Sequence, residues 1–395
     1  MKVSEAKTIG DLQAMAKRRL PRILYDYIEG GVDGEEGLVN NLEAFRTFRF
    51  LPRYLRDCST LDTSRIILGR SYASPFGFGP TGTVGMFKRG GDLMLAEAAA
   101  GANIPYIMSG ASNSLIEDAA RIKRGHFWYQ VYPAREDTIT VDVIKRAKDA
   151  GAEALVITVD VPVNPKRERN LRNGFSHRMP LTPKLVLDGL THPAWLIEYL
   201  RHGGIPVFAN WTPYAPAGAT PADLIDFFSS QSPCVQVWDD IAKIRDLWPR
   251  SLVIKGILHP QDASLAFDAG ADGIILSNHG GRQLDRAVAP IDMLAPIRDV
   301  VGRDKLVMID GGLNRGSDIA MALCLGADFC FLGRGAVYGV TAGGTDGAAR
   351  VIDILTEELG IVMRQLGCPD IASLEPAFVC RTGLPRSSGP VGMLV

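Results

Sequence analysis

The chain has 395 residues, a formal net charge of −1 and 46% hydrophobic residues, enough for one large core or two ordinary ones. A near-neutral surface with scattered basic residues argues against nucleic acid as the main partner, because phosphate binding needs a clustered positive excess. Cys58, Cys234, Cys324, Cys330, Cys368 and Cys380 show neither a CxxC pair nor metal-ligand spacing, so reduced thiols and no metal are expected.

The N-terminus, MKVSEAKTIGDLQAMAKRRL, is amphipathic and lacks an apolar signal core, and no apolar run reaches bilayer-spanning length. The expectation is a cytoplasmic globular protein of one domain, 1–395. Residues 1–70 read as a helical N-terminal extension with the loop Glu29-Gly30-Gly31-Val32. Then short apolar runs recur: Phe76–Thr81, Ile104–Ser109, Phe127–Tyr132, Ala154–Asp160, Leu252–Gly256, Gly273–Ser277, Leu306–Asp310 and Phe329–Gly333. Helix-period stretches separate them, among them Asp92–Ala100, Val141–Ala150, Ala263–Ala269 and Asp318–Leu325. Continuous apolar strands alternating with helices imply a parallel sheet covered on its outer face.

Four helix-to-strand turns share one chemistry, at Gly101, Gly151, Gly270 and Gly326, where glycine suits a left-handed helix C-cap. Eight such units in tandem predict an α/β fold of the closed (β/α)8 TIM-barrel type over 71–368, in preference to a doubly wound open sheet. A long insertion follows strand four, about 162–237, rich in Pro, Gly and aromatics. It reads as a lid; its apolar stretch Leu185–Leu200 could otherwise meet a second subunit or a membrane surface. The tail, 369–395, is expected to be a loosely ordered cover.

In such barrels the site lies at the C-terminal strand ends. These ends carry Pro80, Thr81 and Gly82; Ser109; Gln130 and Tyr132; Thr158 and Asp160; Lys255; Ser277 and the run Asn278 to Arg282; Asp310, Gly311 and Gly312; and Gly333 and Arg334. Taken singly, each has an ordinary explanation: a satisfied histidine, a buried ion pair, a turn glycine. Together, at every strand of one rim, they do not read as core filling. The glycine-rich run Gly333–Gly339 resembles a dinucleotide fingerprint, but no strand follows the helix Val351–Leu366, so no βαβ unit exists. The loops after strands seven and eight are instead where these barrels bind phosphate, which fits a single-phosphate cofactor, FMN, better than a dinucleotide.

Ser277-Asn278-His279-Gly280-Gly281-Arg282-Gln283-Leu284-Asp285 resembles the signature of the FMN-dependent 2-hydroxy-acid oxidases and dehydrogenases. Tyr25–Gly31, Gly79–Gly82, Leu187-Asp188-Gly189 and Asp246–Pro249 add a resemblance to the mandelate dehydrogenase and oxidase branch. The resemblance implies oxidation of an (S)-2-hydroxy acid to the 2-oxo acid, with O2, a quinone or another carrier taking the electrons. It also implies a homotetramer, and leaves peripheral contact with the inner membrane as a further expectation. FMN would be held by Pro80, Thr81, Gly82, Ser109, Gln130, Thr158, Lys255, Ser277, Asp310, Gly311, Gly312, Gly333 and Arg334. Relatives usually carry Arg two residues after the Gly pair; this chain has Asn314, so Arg315 is the candidate from that loop.

Substrate would meet Tyr27, Tyr132, Arg167 and Arg282. His279 is the candidate base because imidazole titrates near working pH, with Asp160 to orient it and Tyr132 and Lys255 beside it. Arginines suit a carboxylate through bidentate charge-assisted bonds. Ala111 stands where short-chain relatives carry a bulky ring; with Gly82 it predicts room for an aromatic group. The competing readings are a lactate-type enzyme on the same scaffold, a flavin-dependent isomerase and a non-catalytic barrel.

Overall fold

The computed structural model describes residues 1–122, 127–178 and 182–382. Eight parallel strands, Phe76–Phe78, Tyr106–Met108, Phe127–Val131, Ala154–Thr158, Ser251–Ile257, Gly273–Leu276, Leu306–Asp310 and Phe329–Leu332, pair in chain order and close on themselves, Cys330 registering with Phe76. Period-2 alternation divides their side chains. One set, including Ile107, Trp128, Val156, Val253, Ile275, Met308 and Phe331, fills the barrel interior; the other faces the surrounding helices. The interior is thus a packed core, with Trp128 edge-on to Phe331 at 5.4 Å, and a ligand can only sit at an end.

Each helix forms for a local reason. Thr8 accepts from the Asp11 N–H at 3.2 Å while Asp11 accepts from the Thr8 N–H at 3.0 Å, a reciprocal cap that starts Ile9–Arg19. Thr182-Pro183 and Thr220-Pro221 start two helices of the insertion in the same polar-cap, proline-first manner. Gly151, Gly270 and Gly326 take the expected left-handed conformation. Gly101 does not: its helix runs through Gly101, and Asn103 takes the positive φ, 51°, which asparagine tolerates.

Regions outside the repeat are more ordered than their composition suggests. Arg65–Ile67 and Arg70–Tyr72 form an antiparallel hairpin that plugs the base of the barrel. The insertion folds into helices Glu168–Asn173, Pro183–Leu190, Pro193–Arg201 and Pro221–Gln231, and Trp238–Leu247 follows it. The apolar stretch 185–200 is therefore two helices broken at His192-Pro193. The tail is not a loose cover where it is described: Val379–Arg381 pairs antiparallel with Phe48–Phe50, and Leu374 and Phe378 are buried. Residues 383–395 of that expectation lie outside the described residues.

The run Gly333–Gly339 does not make a nucleotide loop. The helix Arg334–Leu366 starts immediately, with a kink at Gly343-Gly344. Across the kink a Cβ on Gly339 would lie 2.6 Å from the Gly347 carbonyl oxygen, so these glycines allow two helix segments to touch.

Candidate active site

The polar strand ends converge on one mouth. His279 Nδ1 lies 2.8 Å from Asp160 Oδ1, joining the ends of strands six and four. Gly256 makes room for this pair: the strand bulges there at φ +109°, and a Cβ would lie 2.7 Å from Asp160 Cβ. Burial lowers the His279 pKa; the Asp160 carboxylate opposes that shift without cancelling it. Asp160 is also buried, yet His279 and Lys255 hold its pKa below the usual value. The stable arrangement is a neutral imidazole against a carboxylate, with Nδ1–H donating and the other ring nitrogen left as an acceptor.

His279 sits at φ +56°, a left-handed conformation that costs a non-glycine residue roughly 1–2 kcal/mol. Gly280 and Gly281 continue it at +64° and +73°. The surroundings enforce the shape. Ser277 Oγ accepts from the His279 N–H at 3.0 Å, and a Cβ on Gly281 would meet the Leu38 nitrogen at 2.5 Å. Asn41 and Asn278 exchange side-chain hydrogen bonds at 2.8 and 2.6 Å, and Asn278 Oδ1 accepts from the Gly281 N–H at 3.2 Å. Asp285 accepts from the N–H groups of Gly34 and Gly37 at 3.1 and 2.7 Å. The N-terminal extension thereby clamps the loop carrying His279.

The same extension delivers Tyr27. Arg282 lies over its ring at 4.9 Å and Arg167 at 5.9 Å, while Phe175 stacks on it at 4.3 Å. Arg282 also donates to the carbonyls of Tyr27 and Gly30 at 2.8 and 2.7 Å, at the C-terminus of helix Arg22–Glu29, where a cation is favoured. Arg167 precedes helix Glu168–Asn173, which is tied to helix Arg22–Glu29 by the Asn173–Asp26 contact, and its Nε reaches the Arg282 carbonyl at 3.4 Å. Burial and the Arg167 charge push the Arg282 pKa down to about 9, so it remains a cation at neutral pH. Burial raises the Tyr27 pKa, but the two guanidiniums outweigh it and the net shift is downward. Among the described residues no carboxylate lies within ion-pair distance of Arg167 or Arg282. Two partly buried cations without a carboxylate partner call for an anion from solution.

A second set of groups lacks partners. Thr81 Oγ1, Gln130 Nε2, Thr158 Oγ1 and Asp310 Oδ1 are buried with no hydrogen-bond partner. Their neighbours are arranged: Gln130 Oε1 accepts from Ser109 Oγ at 3.1 Å and from the Gly110 N–H at 3.2 Å. Lys255 Nζ lies 2.9 Å from Ser277 Oγ and 3.0 Å from Asp310 Oδ2. Burial lowers the Lys255 pKa, but Asp310 and Asp160 outweigh it and raise it, so this lysine is a fixed cation. Unsatisfied buried donors and acceptors cost roughly 1–3 kcal/mol each and mark a place for a polar ligand. A planar heteroaromatic ring edged with N–H and C=O groups fits them. Gly311 and Gly312 turn at φ +89° and +79°, and the helix opening at Arg334 has first N–H groups with no acceptor within the helix, suited to a phosphate.

Other expected residues fall as follows. Pro80 and Gly82 flank Thr81, and a Cβ on Gly82 would come 3.1 Å from Ala111 Cβ, so the smallness of both keeps this corner open. Burial pushes the Tyr132 pKa up to about 12, and its neighbours are Asp160, Lys255 and Tyr27. Arg334 is partly committed, donating to the carbonyls of Ile28, Gly280 and Gly30 at 3.0, 3.0 and 3.2 Å. Arg315 departs from expectation: its side chain, about half exposed, pairs with Glu358 at 2.9 Å, because Glu358 also anchors the Gly316 N–H at 2.8 Å. Asn41, Phe175 and His177 carry no motif and come beside Asn278 and Tyr27 only through folding.

A closed parallel barrel whose mouth gathers a histidine–aspartate pair, two guanidiniums without a carboxylate and unpartnered polar atoms is suited to an oxidoreductase that holds a flavin. The chain belongs to the FMN-dependent dehydrogenase family, whose model matches residues 16–381. It is an FMN-dependent oxidoreductase acting on 2-hydroxy acids. It is 40% identical to (S)-mandelate dehydrogenase of Pseudomonas putida over 98% of this chain and 97% of that one. It is 35% identical to an L-lactate dehydrogenase of Caulobacter vibrioides over 95% of this chain and 98% of that one. A solved structure described as monotopic membrane protein (S)-mandelate dehydrogenase superposes with a TM-score of 0.91 at 40% identity, covering 95% of this chain and 100% of that chain.

Proposed function

We propose that this chain oxidises an (S)-2-hydroxy acid bearing an aromatic group, mandelate or a hydroxymandelate, to the 2-oxo acid. The observation that carries this reading is the His279–Asp160 pair, 2.8 Å apart, beside the unpaired guanidiniums of Arg167 and Arg282. The clamp takes the substrate carboxylate in charge-assisted hydrogen bonds. The free nitrogen of His279 then accepts the hydroxyl proton, the Cα hydrogen leaves with its electron pair for the two-electron acceptor, and Asp160 stabilises the imidazolium. Tyr27 and Tyr132 line the same space and orient the substrate. FMN, when bound, supplies the two-electron acceptor. Thr81, Ser109, Gln130, Thr158, Ser277, Asp310 and Lys255 would hold its ring, with Lys255 near developing negative charge. Gly311, Gly312, Gly333 and Arg334 would hold its phosphate.

The open corner at Gly82 and Ala111 supports an aromatic substrate over a lactate-sized one. An anaerobic visible spectrum before and after (S)-mandelate tests the reading, with lactate as the comparison. Bleaching by mandelate supports it, and faster bleaching by lactate overturns the substrate class. Recolouring in air, against recolouring with a quinone, tells the acceptor.

No described helix is long and apolar enough to cross a membrane. Val186, Leu187, Leu190, Ile197 and Leu200 are exposed on the helices Pro183–Leu190 and Pro193–Arg201, which supports a peripheral membrane contact there. Cosedimentation with anionic vesicles tests it, and light scattering tests the tetramer.

A further inference from the structure

A cluster of aromatic rings packs beside Tyr27, with one imidazole among them. His177 stands 5.8 Å from Tyr27 and 5.3 Å from Phe175, edge to face with both, and 5.8 Å from Phe208. Phe208 packs on Phe228 at 4.3 Å, and Phe228 meets Trp211 edge-on at 4.9 Å. Trp211 Nε1 donates to the Gly110 carbonyl at 2.9 Å, beside Ala111. An aromatic shell thus runs from the carboxylate clamp at Tyr27 to the open corner at Ala111. Phenyl rings alone would suffice to hold an unsubstituted aryl group. His177 is the polar exception.

Its ring nitrogens make no hydrogen bond among the described residues, unlike those of His192, His259 and His279. Burial, with the Arg167 and Arg282 charges added, lowers its pKa to about 4, which leaves a neutral imidazole at working pH. A neutral imidazole has one N–H and one lone pair, the complement of a phenol.

We propose that His177 is a specificity residue that hydrogen-bonds a hydroxyl on the substrate ring, so that the preferred substrate is a ring-hydroxylated 2-hydroxy-2-arylacetic acid. This rests on the aromatic reading of the substrate. A single bond of this kind, partly open to solvent, is worth about tenfold in discrimination, since a site built for a hydroxyl disfavours the analogue lacking it.

The test uses the FMN-loaded enzyme with (S)-mandelate and its 3- and 4-hydroxy derivatives, together with dissociation constants for benzoylformate and 4-hydroxybenzoylformate read from the flavin spectrum. The expected result is a kcat/KM about tenfold higher for one hydroxylated acid than for mandelate, carried mainly by KM and mirrored in the dissociation constants. His177→Phe is expected to bring that ratio to about one, and His177→Gln, which keeps a donor and an acceptor, to preserve part of it. A wild-type ratio at or below one for both hydroxylated acids overturns the proposal without any variant, as does an unchanged ratio in His177→Phe. Lactate outperforming all three aromatic acids overturns the aromatic reading itself, a result visible in the wild-type enzyme alone.

Discussion

At the base of the barrel Tyr72 donates to Glu153 at 3.1 Å and accepts from Trp128 Nε1 at 3.3 Å, while Arg70 pairs with Glu153. At the mouth Thr81, Gln130, Thr158 and Asp310 each keep a buried polar atom without a partner. A cavity of about 730 Å³ also opens at the base, lined by Tyr72, Trp128, Glu153 and Arg250, but its polar groups satisfy one another or nearby backbone carbonyls. Space alone therefore does not identify a site. The base ties Tyr72, Glu153 and Arg250 into closing the fold, although Arg65 Nε of its hairpin has no partner, and the mouth leaves its unpartnered atoms for a ligand. The two ends should then respond oppositely to removal of a polar group.

The largest effect is expected at His279. His279→Gln should slow flavin bleaching by substrate about 10⁴-fold, at the upper end of what a general base contributes, with FMN still bound. Stopped-flow spectroscopy checks it, and rapid bleaching would remove His279 as the base. Asp160→Asn should follow with a loss on the order of 100-fold in kcat. It should also move the acid limb of kcat/KM. Burial already lowers the His279 pKa below 6.5 and Asp160 opposes that, so without the carboxylate the pKa falls further. A base works above its pKa; the limb should lie below pH 6.5 and shift to still lower pH in the variant. A limb that stays in place would show that Asp160 does not act through the imidazole.

Smaller effects separate the two ends most directly. Thr158→Val removes one unpartnered hydroxyl and should weaken FMN binding about fivefold, the worth of about 1 kcal/mol, while the FMN-free protein melts no lower. Tyr72→Phe removes a partnered hydroxyl and should cost about 1 kcal/mol of stability, with the FMN dissociation constant and kcat/KM unchanged. Calorimetry and flavin fluorescence titration read both. A Thr158→Val protein that melts lower without FMN, or a Tyr72→Phe enzyme with altered kcat/KM, would break the contrast.

Much of this was legible before folding was considered. The eight strands appear as apolar runs because a parallel strand buried on both faces cannot afford polar positions, and the structure trims those runs by only a few residues, as at Phe76–Phe78 and Phe329–Leu332. The runs were longer because polar rim residues such as Thr81 and Ser109 continue directly from the strand. The left-handed turn was misplaced at Gly101 because glycine and asparagine both tolerate it, and helix length decided between them. The insertion was less legible: its helices rest on contacts such as Trp195 Nε1 to the Met86 carbonyl at 2.9 Å, which no local pattern announces.

The division for the site follows the same physics. Sequence by itself determined which chemical groups stand at the strand ends, because strand period and barrel direction fix where a run stops. That was enough to place His279, Asp160 and Lys255 at one rim, where the barrel brings them together. Tertiary structure alone decided which groups face one another and which polar atoms stay free. Asn41 meets Asn278 across 237 positions of chain, Arg315 turns to Glu358, and His177 joins Tyr27 from the insertion. Hydrogen bonding and burial are set by distance in space, and for residues so far apart in the chain that distance exists only once the barrel has closed.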